Sequence, residues 1–303
     1  MGEQEMDITL IGVPMDLGAD RRGVDMGPSA IRYANLDEKL RTLGHVVHDA
    51  GTVHVPDPAT GATGDPKLKY LDQIITCAQV VARTVRESIE HTSIPIVLGG
   101  DHSIALGSIG GAANALGGAV GVIWMDAHGD FNTRETTPSG NIHGMILAAL
   151  AGYGDPRLVN ATGEGRRVDP KRIVIVGARD LDDGERRLLR AAGVHVYTMT
   201  DIDRRGIADV TGEALALAGA GARGVYLSFD LDVVDPTEAP GVGTPVPGGI
   251  TYREAHLAME LVAESGRLVG MDLVEVNPIL DRQNHTAMLA TELALSALGK
   301  RIF

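Results

Sequence analysis

Eight short segments rich in valine, isoleucine and leucine recur along the chain, and helix-like segments separate most of them. The apolar segments lie at 7–13, 46–53, 94–98, 119–125, 172–177, 194–198, 224–229 and 267–275. Between them, apolar residues recur at intervals of three and four, as in 71–85 and 255–262. Alternating strands and helices are typical of a parallel sheet, and continuous apolar strands indicate that both sheet faces are covered. We therefore expect a three-layer α/β/α sandwich with an open, mostly parallel sheet of about eight strands.

No Pro/Ser-rich linker or run of charges divides the 303 residues. We predict a single domain that spans residues 1–303. An eight-stranded α/β barrel is the competing architecture, but the irregular strand spacing and extended loops favour the open sheet. The glycine-rich stretch 107–118 lacks the spacing and basic residues of a phosphate loop, so we interpret it as a helix packed tightly on the sheet.

The composition excludes several classes of function. A net charge of −13 and an aromatic content of 3% argue against a nucleic-acid partner, since phosphates are repelled and bases find few stacking partners. The single cysteine, Cys77, excludes an intramolecular disulfide, and we place it in the core. The acidic segment 1–5 lacks a secretion signal, and no apolar stretch approaches membrane-spanning length. We expect a cytoplasmic protein without a membrane partner.

Three candidate metal ligands follow one of the predicted strands. Asp126, His128 and Asp130 come directly after the apolar run 119–125. Alternate side chains of an extended segment share a face, so these three residues are expected to reach one point.

Two other predicted strands end in residues of the same kind. Asp230 and Asp232 follow the run 224–229, and His102 follows the run 94–98 and a pair of glycines. Ligands of open α/β sheets bind beyond the carboxyl ends of the strands, which is where all of these residues fall.

The candidate ligands are two imidazoles and four carboxylates, without a thiolate. They are His102, Asp126, His128, Asp130, Asp230 and Asp232. Each motif alone is more often a turn or a helix cap, but their joint occurrence at three strand ends favours a metal site. Four acids balance two divalent ions, and an oxygen-rich set with some imidazole favours Mn²⁺ over Zn²⁺ or copper. We predict two Mn²⁺ per chain.

The same residues belong to sequence blocks that resemble the signature blocks of the ureohydrolase family. The blocks are 99–103, 126–130 and 228–232 followed by Asp235-Pro236, and similar segments occur at 12–28 and 275–278. The resemblance spans almost the whole chain. It implies a homo-oligomer, a trimer or a hexamer.

Within this family, the segment 132–144 resembles the arginase loop that receives an α-carboxylate, which agmatine lacks. The resemblance implies that Asn132, Thr137 and Ser139 hold the α-carboxylate of L-arginine and that Asp182 meets its α-ammonium group, with Glu185 nearby. Asn141 is a further substrate-binding candidate, and Thr244 is a weaker pocket candidate. Such polar residues also make turns and caps, and the acids near Asp182 can cap a helix, so the two roles are compatible.

The resemblance implies hydrolysis of L-arginine to L-ornithine and urea by a hydroxide held between two metal ions. In it, Asp126 and Asp230 bridge the ions, His102 and Asp130 complete one coordination sphere, and His128 and Asp232 complete the other.

Three residues are implied to act on the reacting groups. Asp130 passes a proton to the leaving amine, His143 shuttles protons to solvent, and Glu275 pairs with the guanidinium group. A histidine such as His143 is often only a loop residue, and an acid such as Glu275 often forms a salt bridge at a sheet edge. These structural roles remain alternatives for the two residues.

Three alternatives remain at this point. The first is another amidinohydrolase, such as an agmatinase or a guanidinobutyrase, with the same two metals. The second is a binding or regulatory protein that keeps the site as structure. The third is amide hydrolysis at a single Zn²⁺, although six ligands suit two ions better.

Overall fold

A computed structural model describes residues 5–57, 61–163 and 167–301. The strands are β1 (Asp7–Val13), β2 (Val46–Thr52), β3 (Ile94–Gly99), β4 (Val120–Met125), β5 (Ile173–Ala178), β6 (His195–Thr198), β7 (Gly224–Asp230) and β8 (Leu268–Val274). They match the eight predicted segments with ends shifted by at most one residue. The predicted domain limits, residues 1 and 303, and most of the acidic segment 1–5 lie outside the described residues, so the single domain stays a prediction.

The strands form one sheet of eight strands in the order β2-β1-β3-β8-β7-β4-β5-β6, and every neighbouring pair is parallel. The sheet is open, because β2 and β6 form its two edges. The barrel alternative is therefore wrong. Five neighbouring strands in the middle, β3, β8, β7, β4 and β5, end next to one another, which brings the loops after them together.

Helices cover both faces of the sheet, as predicted. They are α1 (Gly27–Tyr33), α2 (Leu36–Thr42), α3 (Leu71–Glu90), α4 (Ala105–Ala115), α5 (Ile146–Leu150), α6 (Pro156–Val159), α7 (Asp183–Ala192), α8 (Met199–Arg205), α9 (Ile207–Ala218), α10 (Tyr252–Ser265) and α11 (His285–Ala297). Helices α3 to α7 share one core with the sheet, and α1, α2 and α8 to α11 share the other. Among the described helices, none combines the length and the hydropathy needed to span a bilayer.

The two cores arise because successive strand residues point to opposite faces. In β4, Ile123 and Met125 belong to one core, while Val122 and Trp124 belong to the other. All four are buried, which explains why the strand is apolar throughout rather than alternating.

Most of the glycine-rich stretch 107–118 belongs to the helix α4, which is part of the core between the sheet and the helices on that face. Two of its glycines, Gly107 and Gly111, face α3, however, and not the sheet. A Cβ on Gly107 would lie 2.7 Å from the carbonyl oxygen of Ala78, and one on Gly111 would lie 2.5 Å from that of Ala82. Glycine is needed here for close approach of two helices, since a methyl group has no room.

Replacement of Gly107 by alanine should lower the free energy of unfolding by about 1–3 kcal/mol, because α3 must move away from the new methyl group. The matched control is Gly212→Ala in α9, where a Cβ meets nothing within 4 Å. This control should be neutral or more stable by up to about 1 kcal/mol. Urea unfolding followed by circular dichroism measures the free energy of unfolding of both variants. Equal values for the two variants would contradict the close packing of α3 and α4.

Cys77 is 2% exposed, and burial raises the pKa of its thiol to about 11. Thiolate is the reactive form, so a disulfide reagent at pH 8 should modify the native protein on the order of a hundredfold more slowly than the urea-unfolded protein. Fast modification of the native protein would show that Cys77 is not a core residue.

Candidate metal centre and substrate pocket

The first group of candidate ligands surrounds His102, which lies in a short 3₁₀ helix after β3. Its Nδ1 is 3.0 Å from Asp126 Oδ2, 3.1 Å from Asp230 Oδ2 and 3.3 Å from Asp130 Oδ2. The ends of β3, β7 and β4, which lie within four consecutive strands of the sheet, therefore place these side chains around one point.

The second group shares Asp126 with the first. His128 Nδ1 lies 3.3 Å from Asp126 Oδ1 and 3.0 Å from Asp232 Oδ2. The two oxygens of Asp126 thus face two different imidazoles. Among the described residues, two sets of possible ligand atoms lie within 4.8 Å of one another, namely His102 with Asp126 and Asp230, and Asp126 with His128 and Asp232.

The convergence after β4 does not arise from strand alternation, as the sequence reasoning assumed. The strand ends at Met125, and Asp130 has a left-handed backbone with φ of 48°. Instead, Asp126 Oδ1 accepts a hydrogen bond of 2.6 Å from the backbone N–H of His128. The chain turns at once, and this turn carries the following side chains back to the strand end.

The same local turn occurs after β7. Asp230 Oδ1 accepts a hydrogen bond of 2.8 Å from the backbone N–H of Asp232. In both turns one carboxylate oxygen caps the backbone and leaves Oδ2 directed at His102. The caps and the candidate ligand set are therefore the same residues in two compatible roles.

The surroundings of His102 fit a metal ion. Its Nε2 lies 2.8 Å from Ser228 Oγ, which donates its hydrogen to Asp272 Oδ1 at 2.5 Å. Ser228 then has only a lone pair for His102, so Nε2 carries the proton and Nδ1 presents a lone pair. That Nδ1 is buried without a hydrogen-bond partner, and three carboxylate oxygens surround it.

The electrostatics of this cluster also favour a bound cation. Burial raises the pKa of Asp130, Asp230 and Asp232, and the neighbouring carboxylate of Asp126 adds to the effect in each case. Burial opposes a charge on His102 as well, but the adjacent carboxylates raise its pKa. Positive charge at this position therefore stabilises the carboxylates, and a divalent ion provides more positive charge than a proton.

Glu275 stands directly after β8 in a left-handed conformation with φ of 65°. Its Oε1 accepts a hydrogen bond of 3.0 Å from the backbone N–H of His102 and lies 3.3 Å from His143 Nδ1. Its Oε2 is buried without a partner and faces Gly243, where a Cβ would lie at 2.5 Å. Strain and an unpaired carboxylate oxygen at one residue are typical of a binding site.

His143 lies beside Glu275 and lines the cavities above the cluster. Burial opposes its charged form, but the hydrogen bond with Glu275 and the charges of nearby carboxylates together outweigh this effect and raise the pKa of His143 to about 9. The imidazole therefore holds a proton at neutral pH and is placed to exchange it with the cavity.

Two adjoining cavities open above the candidate ligands. The narrower one has a volume of about 160 Å³ and the wider one about 440 Å³. They share five lining residues, which are His128, Asn141, His143, Asp180 and Thr244. The narrower cavity is lined by all seven residues predicted to bind the substrate, namely Asn132, Thr137, Ser139, Asn141, Asp182, Glu185 and Thr244. His128 and Asp130 lie at its wall, so the cavity reaches the candidate metal ligands.

Several of these pocket residues contact one another. Asn132 Nδ2 donates a hydrogen bond of 2.8 Å to Asp182 Oδ2, and Thr244 Oγ1 donates one of 3.0 Å to Asp232 Oδ2. Glu185 accepts the N–H of Phe131 at 2.7 Å, and burial raises its pKa to about 7. The pocket wall is thus a connected polar surface that extends to the ligand cluster.

The two predicted loop residues with hydroxyl groups also form turns. Thr137 Oγ1 accepts the N–H of Gly140 at 2.9 Å, and Ser139 Oγ accepts the N–H of Asn141 at 3.2 Å. The turn-forming role is therefore present together with the position at the cavity.

Several polar residues near the site were not among the predicted site residues. Asp180 lines both cavities, and its place in the acidic segment before α7 could have indicated this. Arg179 donates hydrogen bonds to the backbone oxygens of Asp232 and Val246, each at 2.6 Å, and so fixes the loop after β7. Asp101 lies next to His102 in the sequence and accepts the N–H of Gly18 at 2.7 Å.

Comparisons with known proteins agree with this fold. A model of the Arginase family matches residues 6–299. The arginase of Bacillus subtilis (strain 168) is 51% identical over 295 residues, which cover 97% of this chain and 98% of that protein.

Solved structures give the same picture. The native structure of arginase from Bacillus caldovelox is 46% identical, with a TM-score of 0.95 and coverage of 98% of this chain and 100% of that chain. An arginase from Entamoeba histolytica, solved in complex with L-ornithine, is 31% identical, with a TM-score of 0.90 and the same coverage. This chain therefore belongs to the arginase family and is a hydrolase of the ureohydrolase group.

Proposed function

We propose that this protein hydrolyses L-arginine to L-ornithine and urea with two Mn²⁺ held by His102, Asp126, His128, Asp130, Asp230 and Asp232. The observation that carries the proposal is the position of the narrower cavity, which joins a polar pocket for an amino acid to the two ligand groups. The similarity to arginases, one of them bound to L-ornithine, supports this choice of substrate.

The pocket offers partners for both charged groups at the amino-acid end of arginine. Asn132, Ser139 and Asn141 offer hydrogen-bond donors for the carboxylate, while Asp182 and Glu185 offer carboxylates for the ammonium group. The contact between Asn132 and Asp182 holds these two halves next to each other before a substrate enters. The pocket is therefore matched to a zwitterion and not to an amine alone.

The guanidinium end would reach the candidate metal ligands. The free Oε2 of Glu275 suits a planar cation with several N–H donors, and it would orient the guanidinium carbon toward the ligand cluster. Two divalent ions held by these ligands would lower the pKa of bound water to roughly 7 and so supply a nucleophile at neutral pH.

Proton transfer falls to residues of this chain. Asp130 lies at the wall of the narrower cavity and is the candidate donor to the leaving amine. His143 contacts Glu275 on one side and lines the wider cavity, so it can transfer protons between the solvent and the site. Assembly as a trimer or hexamer and a cytoplasmic location stay predictions from the sequence.

The proposed function is tested by urea release from L-arginine, with agmatine as the competing substrate and a metal-free preparation as the control. We expect Mn²⁺-dependent urea release from L-arginine and a much lower kcat/KM for agmatine. A higher kcat/KM for agmatine would assign the protein to another amidinohydrolase activity, and release of urea from neither compound would refute the proposal.

Asp126→Asn and Asp230→Asn should remove bound Mn²⁺ and urea release together, because each takes a carboxylate from the cluster around His102. Elemental analysis should find fewer than two ions per chain, and kcat should fall by about a thousandfold or more. The matched control is Asp37→Asn, a half-exposed acid on α2 that pairs with Arg41. Full turnover by either cluster variant would contradict the two-metal mechanism.

Ser139→Ala and Asn132→Ala should mainly raise KM for L-arginine, by about tenfold, since a hydrogen bond to a charged group is lost while the metal ligands stay in place. Ser93→Ala, which removes a hydroxyl paired with Thr9 at the other end of the sheet, should leave KM unchanged. Steady-state kinetics decide, and an unchanged KM in both pocket variants would assign carboxylate recognition to other residues.

A further inference from the structure

The segment 65–69, here called the strap, holds the pocket loop 132–144 from outside. Arg134 donates two hydrogen bonds to Asp65 Oδ2, at 2.8 and 3.1 Å. Lys67 Nζ donates one of 2.7 Å to the carbonyl oxygen of Thr137. The backbone N–H of Lys69 donates one of 3.1 Å to the carbonyl oxygen of Gly140.

The two backbones touch at Gly140. Its φ is +78°, and a Cβ there would lie 1.9 Å from the carbonyl oxygen of Pro66. Only glycine allows this approach, so the position of the pocket loop depends on the strap. A residue of the strap can therefore influence the pocket without lining it.

Lys69 is the residue of the strap whose side chain contacts the side chain of a pocket residue. Its Nζ donates hydrogen bonds to Asn141 Oδ1 at 2.9 Å and to Asp20 Oδ1 at 2.8 Å. Asn141 lines both cavities, and Asp20 lines the wider one. An ammonium group thus stands directly behind an amide that faces the substrate pocket.

The positive charge of Lys69 lies close to a cavity that is lined by acidic residues. The narrower cavity is lined by four acids, which are Asp130, Asp180, Asp182 and Glu185. These acids attract a cationic substrate, but they repel a carboxylate that enters with it. The hydrogen bond from Lys69 lowers the pKa of Asp20, and a hydrogen bond with Asn141 adds to this effect. Lys69 and Asn141 therefore already stabilise one carboxylate, that of Asp20.

We propose that Lys69 is a specificity-determining residue that favours substrates with an α-carboxylate, and that Asp20 competes with that carboxylate for the charge of Lys69. This inference rests on the proposed hydrolysis of L-arginine and goes beyond it, because Lys69 does not line the pocket. Lys69 acts as a positioning residue: it fixes the amide of Asn141 and supplies a positive potential at the carboxylate end of the pocket.

Substitutions of Lys69 and of its partner Asp20 should change KM for L-arginine in opposite directions. Lys69→Met should raise KM for L-arginine by about tenfold and leave kcat within about twofold, while the kinetics with agmatine stay the same. Lys69→Arg should restore most of the preference, because it keeps the charge. Asp20→Asn should lower KM for L-arginine, because it removes the competing carboxylate and keeps Lys69.

A control accounts for the loss of one positive charge from the whole protein. Lys39→Met removes a lysine that pairs with Glu292 on α11, at 2.9 Å, outside the pocket. It should leave the ratio of kcat/KM for L-arginine and agmatine unchanged.

A binding measurement provides a readout independent of turnover. Calorimetry with the Mn²⁺-loaded protein compares L-ornithine with 1,4-diaminobutane, which has both amines but no carboxylate. Lys69→Met should weaken the binding of L-ornithine by about tenfold, and Asp20→Asn should strengthen it. Neither variant should change the affinity for 1,4-diaminobutane by more than about twofold.

The outcomes separate this inference from the proposed function. If the wild-type protein releases no urea from L-arginine, the proposed function fails. If it does, but Lys69→Met changes L-arginine and agmatine equally, or Asp20→Asn raises KM for L-arginine, the role of Lys69 is overturned. If Lys69→Met does not fold, Lys69→Arg and Asp20→Asn still decide between these results.

Discussion

The centre depends on acids that are buried close enough to repel one another. Asp126 presents one oxygen to His102 and the other to His128, and it raises the pKa of Asp230 and Asp232 together with burial. Such a cluster is unfavourable by itself, since each carboxylate is removed from water and placed beside another. Divalent cations would relieve this repulsion, so the arrangement of the acids supports the proposed metals.

The fold supplies this arrangement through strand order and not through any single motif. β3, β8, β7, β4 and β5 are neighbours in the sheet although they are far apart in the sequence. Parallel pairing makes all five end at the same edge, where the short turns that begin at Asp126 and Asp230 reverse the chain. Burial of both sheet faces then holds these strand ends in place.

A second layer of residues orients the imidazole of His102. Its ring stacks on Trp124 with centroids 3.8 Å apart, and its Nε2 is held by Ser228, which in turn bonds Asp272. Ser108 on α4 donates to the other oxygen of Asp272 at 2.6 Å. The helix, the strands and the candidate ligand thus form one hydrogen-bonded unit, in which the proton position on His102 is determined by its neighbours.

The strands and the candidate ligands could be predicted because both leave local signals in the sequence. A buried parallel strand is a continuous apolar run, and Asp126 and Asp230 are visible as the acids that end such runs. The geometry after β4 could not be predicted, since the left-handed backbone of Asp130 replaces the extended segment that alternation assumes.

Other parts of the site have no local signal. Ser228 and Asp272 are single polar residues within apolar strands, and their partnership appears only when β7 and β8 pair. Lys69 is separated from Asn141 by 72 positions, and it looks like an ordinary surface lysine until the strap packs on the pocket loop. Long-range contacts of this kind require the three-dimensional structure.

The most direct test of this account is anomalous diffraction from crystals of the Mn²⁺-loaded protein, recorded on both sides of the manganese absorption edge. We expect two peaks in each chain, one beside His102 and one beside His128, with Asp126 between them. A single peak, or none at this edge of the sheet in protein that releases urea from L-arginine, would contradict the account.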